Sequence, residues 1–314
     1  MIRVENLVKN YGDVQAVRDI SFQVNDGEIL GFLGENGAGK STTLKVMTGY
    51  LSATAGDVFV DDRNIVDDSL EIRRRVGYLP ELNPLYGEMI VYDLLSFIAT
   101  IRRMEGRAFR QALDRVVEQC GLAGVVHRAV QECSKGYKQR IGLATAMLHD
   151  PDILILDEPV TGLDPNQIVE IRELIRSLGR EKTLIMSSHI LQEIEATVDR
   201  IIIIHNGEIV ADGLREELMS SFRGQTQLTL EVKQAEEESV QGLPEQLQGV
   251  SLSDVAENNG SRTLVLEYDR DTDPRERIFH YARDQGWVIL EMSQARVQLE
   301  DVFRNLTGEG ASNA

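Results

Sequence analysis

The sequence predicts an α/β protein built on a mostly parallel sheet, followed by a smaller α+β domain. Two short apolar runs, at 153–156 and 183–186, are continuous, as expected of parallel strands that helices cover on both faces. A third run, at 29–33, leads into a glycine-rich segment that a helix follows. After Arg215 the pattern changes to strands that are apolar on one side only.

Size and composition limit the classes of protein to consider. A chain of 314 residues exceeds the usual size of one hydrophobic core, so one large and one smaller domain are expected. The longest apolar run, 201–204, is far shorter than a membrane span, and the N-terminus has no apolar signal segment. We therefore expect a cytoplasmic protein that reaches a membrane only through a partner. The net charge of −18 argues against nucleic acid as a partner.

The first two-thirds of the chain is expected to form one large domain over residues 1–217. Residues 2–12 and 16–34 alternate apolar and polar positions around turn signals, which predicts antiparallel strands beside the first parallel strand. A helical subdomain is predicted at about 82–148, where Leu94, Leu95, Ile98 and Ile101 share one helix face and are expected to be buried.

The C-terminal domain is expected over residues 224–314. Strands are predicted at 226–234, 250–255, 263–269 and 287–293, with helices before 248 and at 274–284. The turn signal Asn258-Asn259-Gly260 predicts a hairpin between the second and third strands. The order β-α-β-β-α-β is typical of a split βαβ, ferredoxin-like domain.

The segment GENGAGKST, at 34–42, fits the pattern G-x-x-x-x-G-K-[ST] of a phosphate-binding loop. Glycines let the loop turn its backbone N–H groups toward phosphate, Lys40 reaches the β and γ phosphates, and Ser41 offers a hydroxyl to Mg²⁺. A glycine-rich turn without function is the alternative, which the strand–loop–helix setting disfavours. The predicted nucleotide-binding residues of this loop are Gly34, Glu35, Asn36, Gly37, Ala38, Gly39, Lys40, Ser41 and Thr42.

The segment ILILDEP, at 153–159, ends a buried strand with two carboxylates. Asp157 at the end of a parallel strand is placed to hold Mg²⁺, and Glu158 is placed to orient and polarise water beside the γ-phosphate. Either residue alone is also compatible with a solvated turn. The phosphate loop in the same chain favours the catalytic interpretation.

The ordered set Tyr11, GENGAGKST, YLPE, CSKGYKQR, ILILDEP, TGLDP and MSSHI resembles the ATP-binding subunit of an ABC transporter over residues 1–217. YLPELNPLY and the terminal QLEDVFRNLTG are similar to ABC-2 type exporter ATPases, including the gliding-motility, sodium-extrusion and drug-resistance subfamilies. The resemblance implies the P-loop NTPase fold, ATP and Mg²⁺ as cofactors, and an ATPase subunit that powers export. It also implies two partners, a separate membrane permease at the cytoplasmic face and a second copy in a head-to-tail dimer.

The resemblance also assigns roles to three single residues. Tyr11 would stack on adenine, His189 would contact the γ-phosphate as a catalytic residue, and Asp164 in TGLDP would lie at the dimer seam. Each has a structural alternative: a strand tyrosine beside a turn, a histidine of purely structural role, and the N-cap of a helix that Pro165 begins.

Two positions depart from the family pattern. Glu81 in YLPE replaces the usual glutamine, and its carboxylate remains a suitable Mg²⁺ ligand together with Ser41 and Asp157. The signature L-S-G-G-Q is here Cys133, Ser134, Lys135, Gly136 and Tyr137, of which the last four are predicted to face the ATP of the opposite subunit. A serine hydroxyl and a helix start are retained, so we interpret the segment as a working variant. A plain serine-initiated helix is the alternative.

The loop and helix at 80–101 would, by the resemblance, receive the coupling helix of the permease, while packing on its own subdomain is the alternative. Two other functions stay open at this point. A soluble ABC-type ATPase acting on nucleic acid or ribosomes would call for tandem ATPase domains or basic arms, which the sequence lacks. A module gated by ATP binding alone would not need Glu158.

Overall fold

The computed structural model describes residues 1–221, 226–258, 260–268 and 272–295, and also Phe303. The chain divides into two compact units, Met1–Arg215 and Glu216–Ala314. Asn259 of the expected hairpin turn lies outside the described residues, as do 298–302 and 304–308 of the terminal segment that resembles exporter ATPases.

A six-stranded sheet forms the centre of the first unit. Its strands run in the order β10-β9-β3-β8-β7-β6, and only β10 is antiparallel to its neighbour. Every residue of β3, β7 and β8 is buried, because helices cover the sheet. The bounds are β3 Ile29–Leu33, β6 Val76–Leu79, β7 Ile153–Leu156, β8 Thr183–Ser188, β9 Arg200–His205 and β10 Glu208–Leu214.

A second, antiparallel sheet lies beside it, in the order β2-β1-β4-β5. The expected antiparallel strands thus form a sheet of their own and do not join the parallel one. The two sheets share one apolar core, in which the rings of Phe22 and Phe32 lie 5.6 Å apart. The bounds are β1 Ile2–Tyr11, β2 Val14–Val24, β4 Ala55–Val60 and β5 Arg63–Asn64.

Helices cover the parallel sheet and form the helical segment of the first unit. Leu94 and Leu95 of α3 are buried as expected, but Ile101 at its end is 61% exposed, so the prediction that Ile101 faces the core is wrong. The bounds are α1 Lys40–Met47, α2 Ser69–Arg75, α3 Val91–Ile101, α4 Gly106–Gln119, α5 Lys135–Met147, α6 Pro165–Gly179 and α7 Leu191–Glu195, with a 3₁₀ turn at Val130–Glu132. Helix α8, Arg215–Ser221, begins at the last residue of the first unit and belongs otherwise to the second. No helix within the described ranges has the length and apolar character needed to span a bilayer.

The second unit is a four-stranded antiparallel sheet in the order β12-β13-β11-β14. This is the strand order of a ferredoxin-like, split βαβ domain, as the sequence predicts. Its core includes Tyr268 and Trp287, whose indole Nε1–H donates to Ser239 Oγ at 3.1 Å. The bounds are β11 Thr226–Lys233, α9 Glu237–Gln241, α10 Leu243–Gln246, β12 Val250–Asn258, β13 Ser261–Tyr268, α11 Arg275–Asp284 and β14 Val288–Ala295.

His149 joins the helical segment to the sheet at the point where α5 leads into β7. Its Nε2 lies 3.2 Å from the carbonyl oxygen of Val76 in β6, and its Nδ1 is buried without a hydrogen-bond partner. Burial and, secondly, the nearby charge of Arg102 lower the pKa of His149 from 6.5 to about 4. The folded protein therefore holds this histidine neutral.

This shift predicts a specific loss of stability in mild acid. Between pH 6.5 and about 4 the unfolded chain binds a proton at His149 that the folded chain does not, so the free energy of unfolding falls as the pH drops through this window. We expect His149→Gln to lose less stability than the wild type between about pH 7 and about pH 5.5. Urea unfolding followed by circular dichroism measures this, because the one tryptophan lies in the other unit.

The matched control is His280→Gln in α11, where the histidine is 49% exposed. It is expected to keep the pH dependence of the wild type. Equal pH dependence in His149→Gln and the wild type would contradict the assignment of a neutral, buried His149.

Candidate active site

Four strands of the parallel sheet end at one edge, and a predicted site residue follows each of them. Gly34 follows β3, His189 follows β8, Asp157 follows β7, and Glu81 follows β6 by one residue. These strands are neighbours in the sheet and parallel, so their carboxyl ends meet. The topology therefore assembles residues that lie more than 150 positions apart in the sequence.

The phosphate loop fits its surroundings only because it is rich in glycine. A Cβ on Gly34 would lie 2.4 Å from the carbonyl oxygen of Ile204, and one on Gly39 would lie 2.6 Å from that of Ala16. Gly39 also has a φ of 109°, in the region that side chains disfavour, directly before α1 begins at Lys40. The loop thus places the N-terminus of α1, with its free N–H groups, at the edge of the sheet.

Lys40 is folded back onto its own loop. The ammonium donates to the carbonyl oxygens of Gly34 at 2.7 Å and Glu35 at 3.1 Å, and it lies 3.5 Å from Oε1 of Glu158. The side chains of Lys40 and Glu158 are each only 5% exposed. The cation is therefore held where phosphate oxygens would replace the loop carbonyls.

Asp157 is fully buried and ties three elements together. Its Oδ1 accepts hydrogen bonds from Ser41 Oγ of α1 at 3.0 Å and from Ser187 Oγ of β8 at 2.7 Å. Its Oδ2 is buried and has no hydrogen-bond partner. A buried carboxylate oxygen without a partner is costly, and it marks a position that a cation would satisfy.

The oxygen atoms around this position fit Mg²⁺. The ion prefers oxygen ligands and commonly uses one or two carboxylates, a hydroxyl, phosphate and water. Asp157 offers its free Oδ2, Ser41 offers its hydroxyl, and the exposed Glu81 lines a pocket that Ser41 also lines.

Glu158 is held in an unusual backbone conformation by three side chains. Its φ is 49°, in the left-handed region, which strains a residue other than glycine. Its N–H donates to Ser187 Oγ at 3.0 Å, while its Oε2 accepts from Thr161 Oγ1 and lies 2.9 Å from His189 Nδ1. The carboxylate is thus fixed in orientation beside Lys40.

The loop that carries His189 is held in place by a buried acid, Glu193. Ser188 Oγ donates to Glu193 Oε2 at 2.6 Å and accepts from the N–H of Ile190 at 3.0 Å. Burial, which the Ser188 hydrogen bond partly offsets, raises the pKa of Glu193. Sequence reasoning missed both Ser187 and Glu193. A serine inside an apolar strand is a weak signal, and a glutamate in a helix is normally exposed.

A pocket of about 310 Å³ opens over the phosphate loop. It brings together the residues predicted to bind phosphate and metal: Glu35, Asn36, Gly37, Gly39, Lys40, Ser41, Thr42, Glu81 and Glu158 line it with Ala16. Ala38 is buried. Most of the predicted phosphate-binding residues and two of the three predicted metal ligands, Ser41 and Glu81, thus share one open cleft, whereas Asp157 is buried against Ser41.

Ten predicted site residues do not line this pocket. Four of them, Gly34, Ala38, Asp157 and His189, belong to the loop and strand ends described above, and the other six are Tyr11, Ser134, Lys135, Gly136, Tyr137 and Asp164. Tyr11 ends β1 and is 48% exposed, with Lys9 Nζ 5.3 Å from its ring centroid. Its aromatic face is therefore partly covered by a cation of its own strand.

Ser134 to Tyr137 and Asp164 form a second cluster, at the start of two helices. Ser134 is the N-cap of α5, and its Oγ accepts from the N–H of Tyr137. Asp164 is the N-cap of α6, with Oδ1 accepting from the N–H of Gln167 at 3.0 Å. Both residues therefore have the capping role that the structural alternatives described.

The two helix starts are packed directly against each other. A Cβ on Gly136 would lie 2.6 Å from the side chain of Gln167, and one on Gly162 would lie 1.8 Å from Lys135 Nζ. Gly136 thus lies against the amide end of the Gln167 side chain, and the lysine lies against Gly162 of the TGLDP segment. The chain thus holds two separate groups of predicted site residues. One is the phosphate pocket, and the other, which we call the signature cluster, is Ser134–Tyr137 with Asp164; we refer to the two as half-sites.

The sequence has clear similarity to proteins of known family. Residues 17–161 match the family described as ABC transporter. The ABC transporter ATP-binding protein YxlF of Bacillus subtilis, itself uncharacterized, is 34% identical over 96% of this chain and 98% of its own. The bacitracin transport ATP-binding protein BcrA of Bacillus licheniformis is 34% identical over 99% of this chain and 98% of its own.

Solved structures agree with the fold. A structure described as the ATP-binding subunit of an ABC transporter has a TM-score of 0.64 and 29% identity, and covers 71% of this chain and 93% of that chain. The dimeric ATP-binding cassette MJ0796, in a post-hydrolysis state with ADP and Pi, has a TM-score of 0.62 and 23% identity, and covers 68% of this chain and 98% of that chain. The second likeness concerns the fold alone.

The free Oδ2 of Asp157 predicts how metal affects nucleotide binding. We expect Mg²⁺ to tighten ATP binding to the wild type, and we expect Asp157→Asn to lose most of this effect, because the amide is a poorer ligand and carries no charge. Titration of a fluorescent ATP analogue with Mg²⁺ and with EDTA measures the difference. Asp114→Asn, an exposed aspartate of α4, is the matched control. An undiminished Mg²⁺ effect in Asp157→Asn would refute the assignment.

Proposed function

This chain belongs to the family of ABC transporter ATP-binding proteins, and on that premise we propose that it is the ATP-hydrolysing subunit of an exporter, driving transport through a separate membrane permease. One observation carries the proposal. A phosphate-binding lysine, a free buried carboxylate oxygen and a strained glutamate meet at one sheet edge. A module that only bound ATP would need the first two of these and not the third.

The geometry supports a division of labour in hydrolysis. Lys40 and the N–H groups at the start of α1 bind the phosphates, and Mg²⁺, held by Ser41, Asp157 and Glu81, would supply charge neutralisation there. Glu158, fixed by Thr161 and His189, orients and polarises the attacking water. His189 is 34% exposed and its Nδ1 lies 2.9 Å from Glu158 Oε2, so its ring would be available to contact the γ-phosphate.

The separation of the two half-sites supports a head-to-tail dimer. Ser134, Lys135, Gly136 and Tyr137 do not reach the phosphate pocket of their own chain, yet they present a helix start suited to phosphate. A second copy would bring this cluster onto the ATP of the first, with Asp164 at the seam. The dimeric cassette MJ0796 shares this fold. Tyr11, at the open end of β1, would stack on the adenine ring.

A permease partner would place the protein at the cytoplasmic face of a membrane. The loop at 80–90 carries exposed apolar side chains, with Leu82 84% exposed and Tyr86 57% exposed. We assign residues 1–217 to the ATP-binding domain, with a helical subdomain at about 82–148, and 224–314 to an accessory domain. The relatives YxlF and BcrA match both, since they cover nearly the whole chain.

Glu158→Gln tests the catalytic assignment. General-base groups commonly contribute 10²- to 10⁴-fold to rate, so ATP turnover is expected to fall at least about 100-fold while ATP still binds. Phosphate release by the purified protein measures turnover, and gel filtration with ATP measures dimerisation. The variant is expected to remain an ATP-bound dimer for longer than the wild type. Glu181→Gln, an exposed glutamate, is the control. Turnover above about a tenth of the wild-type rate would refute the role of Glu158.

Ser134→Arg and Lys40→Ala together test the composite site. Each variant alone is expected to be inactive, since one removes the signature serine and the other the phosphate lysine. An equal mixture forms heterodimers in which one of the two sites is intact, so about a quarter of the wild-type turnover is expected to return. No recovery, with Ser134→Arg still binding ATP, would rule out a site shared between two copies.

A further inference from the structure

Helix α7 carries a buried carboxylate that the hydrolysis mechanism proposed above does not use. Glu193 is 4% exposed, and it forms no ion pair among the residues that the structure describes. The other glutamate of α7, Glu195, is 24% exposed and pairs with Arg215. Glutamate is rarely buried without a paired cation, because removing the charge from water is costly. The position of Glu193 therefore calls for a specific explanation.

The carboxylate of Glu193 is bound to Ser188, which lies where three segments meet. Ser188 Oγ lies 2.6 Å from Glu193 Oε2, and the same Oγ accepts from the N–H of Ile190 at 3.0 Å. The carbonyl oxygen of Ser188 accepts from the N–H of Gly34, the first residue of the phosphate loop, at 3.4 Å. Ser188 thus joins the buried acid to the turn that carries His189 and to the start of the phosphate loop.

The acid fixes the direction of the Ser188 hydroxyl. A hydroxyl group has a single hydrogen, and here that hydrogen is directed at Glu193, which leaves the lone pairs of Oγ for the N–H of Ile190. Without an acceptor at position 193, the hydroxyl is free to rotate, and its bond to Ile190 is no longer held in one geometry. The turn over 188–190 is therefore fixed by two linked hydrogen bonds that end on α7.

His189 depends on this turn because its side chain is not enclosed. The ring is 34% exposed, so packing alone does not fix its position. Its Nδ1 nevertheless lies 2.9 Å from Glu158 Oε2, a contact that requires the backbone at 189 to be held accurately. A buried acid one turn further along the chain supplies that support through Ser188.

The electrostatic surroundings of Glu193 indicate that its oxygen matters more than its charge. Burial raises the pKa of Glu193, the hydrogen bond from Ser188 partly offsets this, and the negative charge of Glu158 raises the pKa further. His189 and Arg172 of α6 act in the opposite direction and are weaker influences than burial. A neutral side chain that accepts the same hydrogen bond should therefore replace the carboxylate.

We propose that Glu193 is a positioning residue for ATP hydrolysis, which acts through Ser188 to hold His189 against Glu158. It does not touch the nucleotide. This inference rests on the proposed function, because it assigns the support for residues that would carry out hydrolysis. The alternative is a purely structural role, in which Glu193 stabilises α7 and has no effect on His189.

Two substitutions of the same residue test the proposal. Leucine at 193 keeps the buried volume and removes the acceptor, whereas glutamine keeps an oxygen acceptor without the charge. Phosphate release by the full-length protein over a range of ATP concentrations gives kcat and KM. Glu193→Leu is expected to lower kcat about 10- to 100-fold and to change KM less than about twofold, because a small displacement beside the reacting atoms lowers the rate. Glu193→Gln is expected to keep at least about half of the wild-type kcat.

Glu195→Leu, on the same helix, is the matched control and is expected to turn over ATP as the wild type does. Melting temperatures check folding. Ser188→Ala removes the same hydrogen bond with a smaller change, is expected to lower kcat in the same way, and serves if Glu193→Leu does not fold. Wild-type kcat in folded Glu193→Leu or Ser188→Ala would overturn the proposal, and so would an equal loss in Glu193→Gln and Glu193→Leu.

A double-mutant cycle separates positioning from a structural role. If Glu193 acts through His189, the variant His189→Ala and the double variant His189→Ala/Glu193→Leu are expected to have the same kcat, since the second change removes support from a side chain that is already absent. A structural role predicts instead that the two losses multiply. Multiplied losses would contradict the proposal.

The ring of His189 gives a readout that does not require turnover. The chain has five histidines, and the NMR signal of His189 is identified as the one missing from His189→Ala. This signal is expected to shift in Glu193→Leu and to stay unchanged in Glu195→Leu. An unshifted His189 signal in Glu193→Leu would refute the link between the two residues.

Measuring Glu158→Gln in the same series keeps the two proposals distinguishable. An inactive Glu158→Gln beside a fully active, folded Glu193→Leu would reject the role of Glu193 alone. Retained turnover in Glu158→Gln would reject the proposed hydrolysis mechanism, and the positioning role that rests on it would be rejected as well.

Discussion

The geometry of the candidate active site depends on one buried carboxylate, that of Asp157. Its Oδ1 accepts hydrogen bonds from the hydroxyl groups of Ser41 in α1 and Ser187 in β8. The Oγ of Ser187 in turn accepts a hydrogen bond from the N–H of Glu158. Three neighbouring segments are thereby held in register around a single charge. Because that charge is buried, displacement of any one segment would leave it partly unsatisfied, which is costly. The Oδ2 of Asp157 has no hydrogen-bond partner and is therefore available to bind a cation.

The phosphate pocket and the signature cluster are held apart within one chain. The phosphate pocket is built from strand ends, whereas the signature cluster is built from two helix starts that pack on each other through Gly136 and Gly162. Each half is internally satisfied, since Ser134 and Asp164 cap their own helices. Neither half therefore needs the other in order to fold. In the dimer proposed above, the two groups of residues would come together only when two copies meet.

Much of this could be predicted from the sequence, for identifiable reasons. Continuous apolar strands and the glycine spacing of the phosphate loop are local signals, and the predicted α/β fold and ferredoxin-like domain are confirmed. Ser187 and Glu193 could not be found in this way, because their role arises from contacts across the sheet. Ile101 was predicted to be buried because it shares a helix face with Leu94 and Leu95. It is exposed at the last residue of α3, and helical periodicity does not show where a helix ends.

The contact between Lys40 and Glu158 has a consequence for the reaction cycle. The lysine that should receive phosphate is already satisfied, by two loop carbonyls and by the carboxylate that should handle water. An arriving triphosphate must exchange these contacts for its own, so part of its interaction energy is offset and the nucleotide is held less tightly than an open cation would hold it. That exchange also frees Glu158 from its counter-ion. Release of the products would allow the lysine to return to its contacts with the two loop carbonyls and with Glu158.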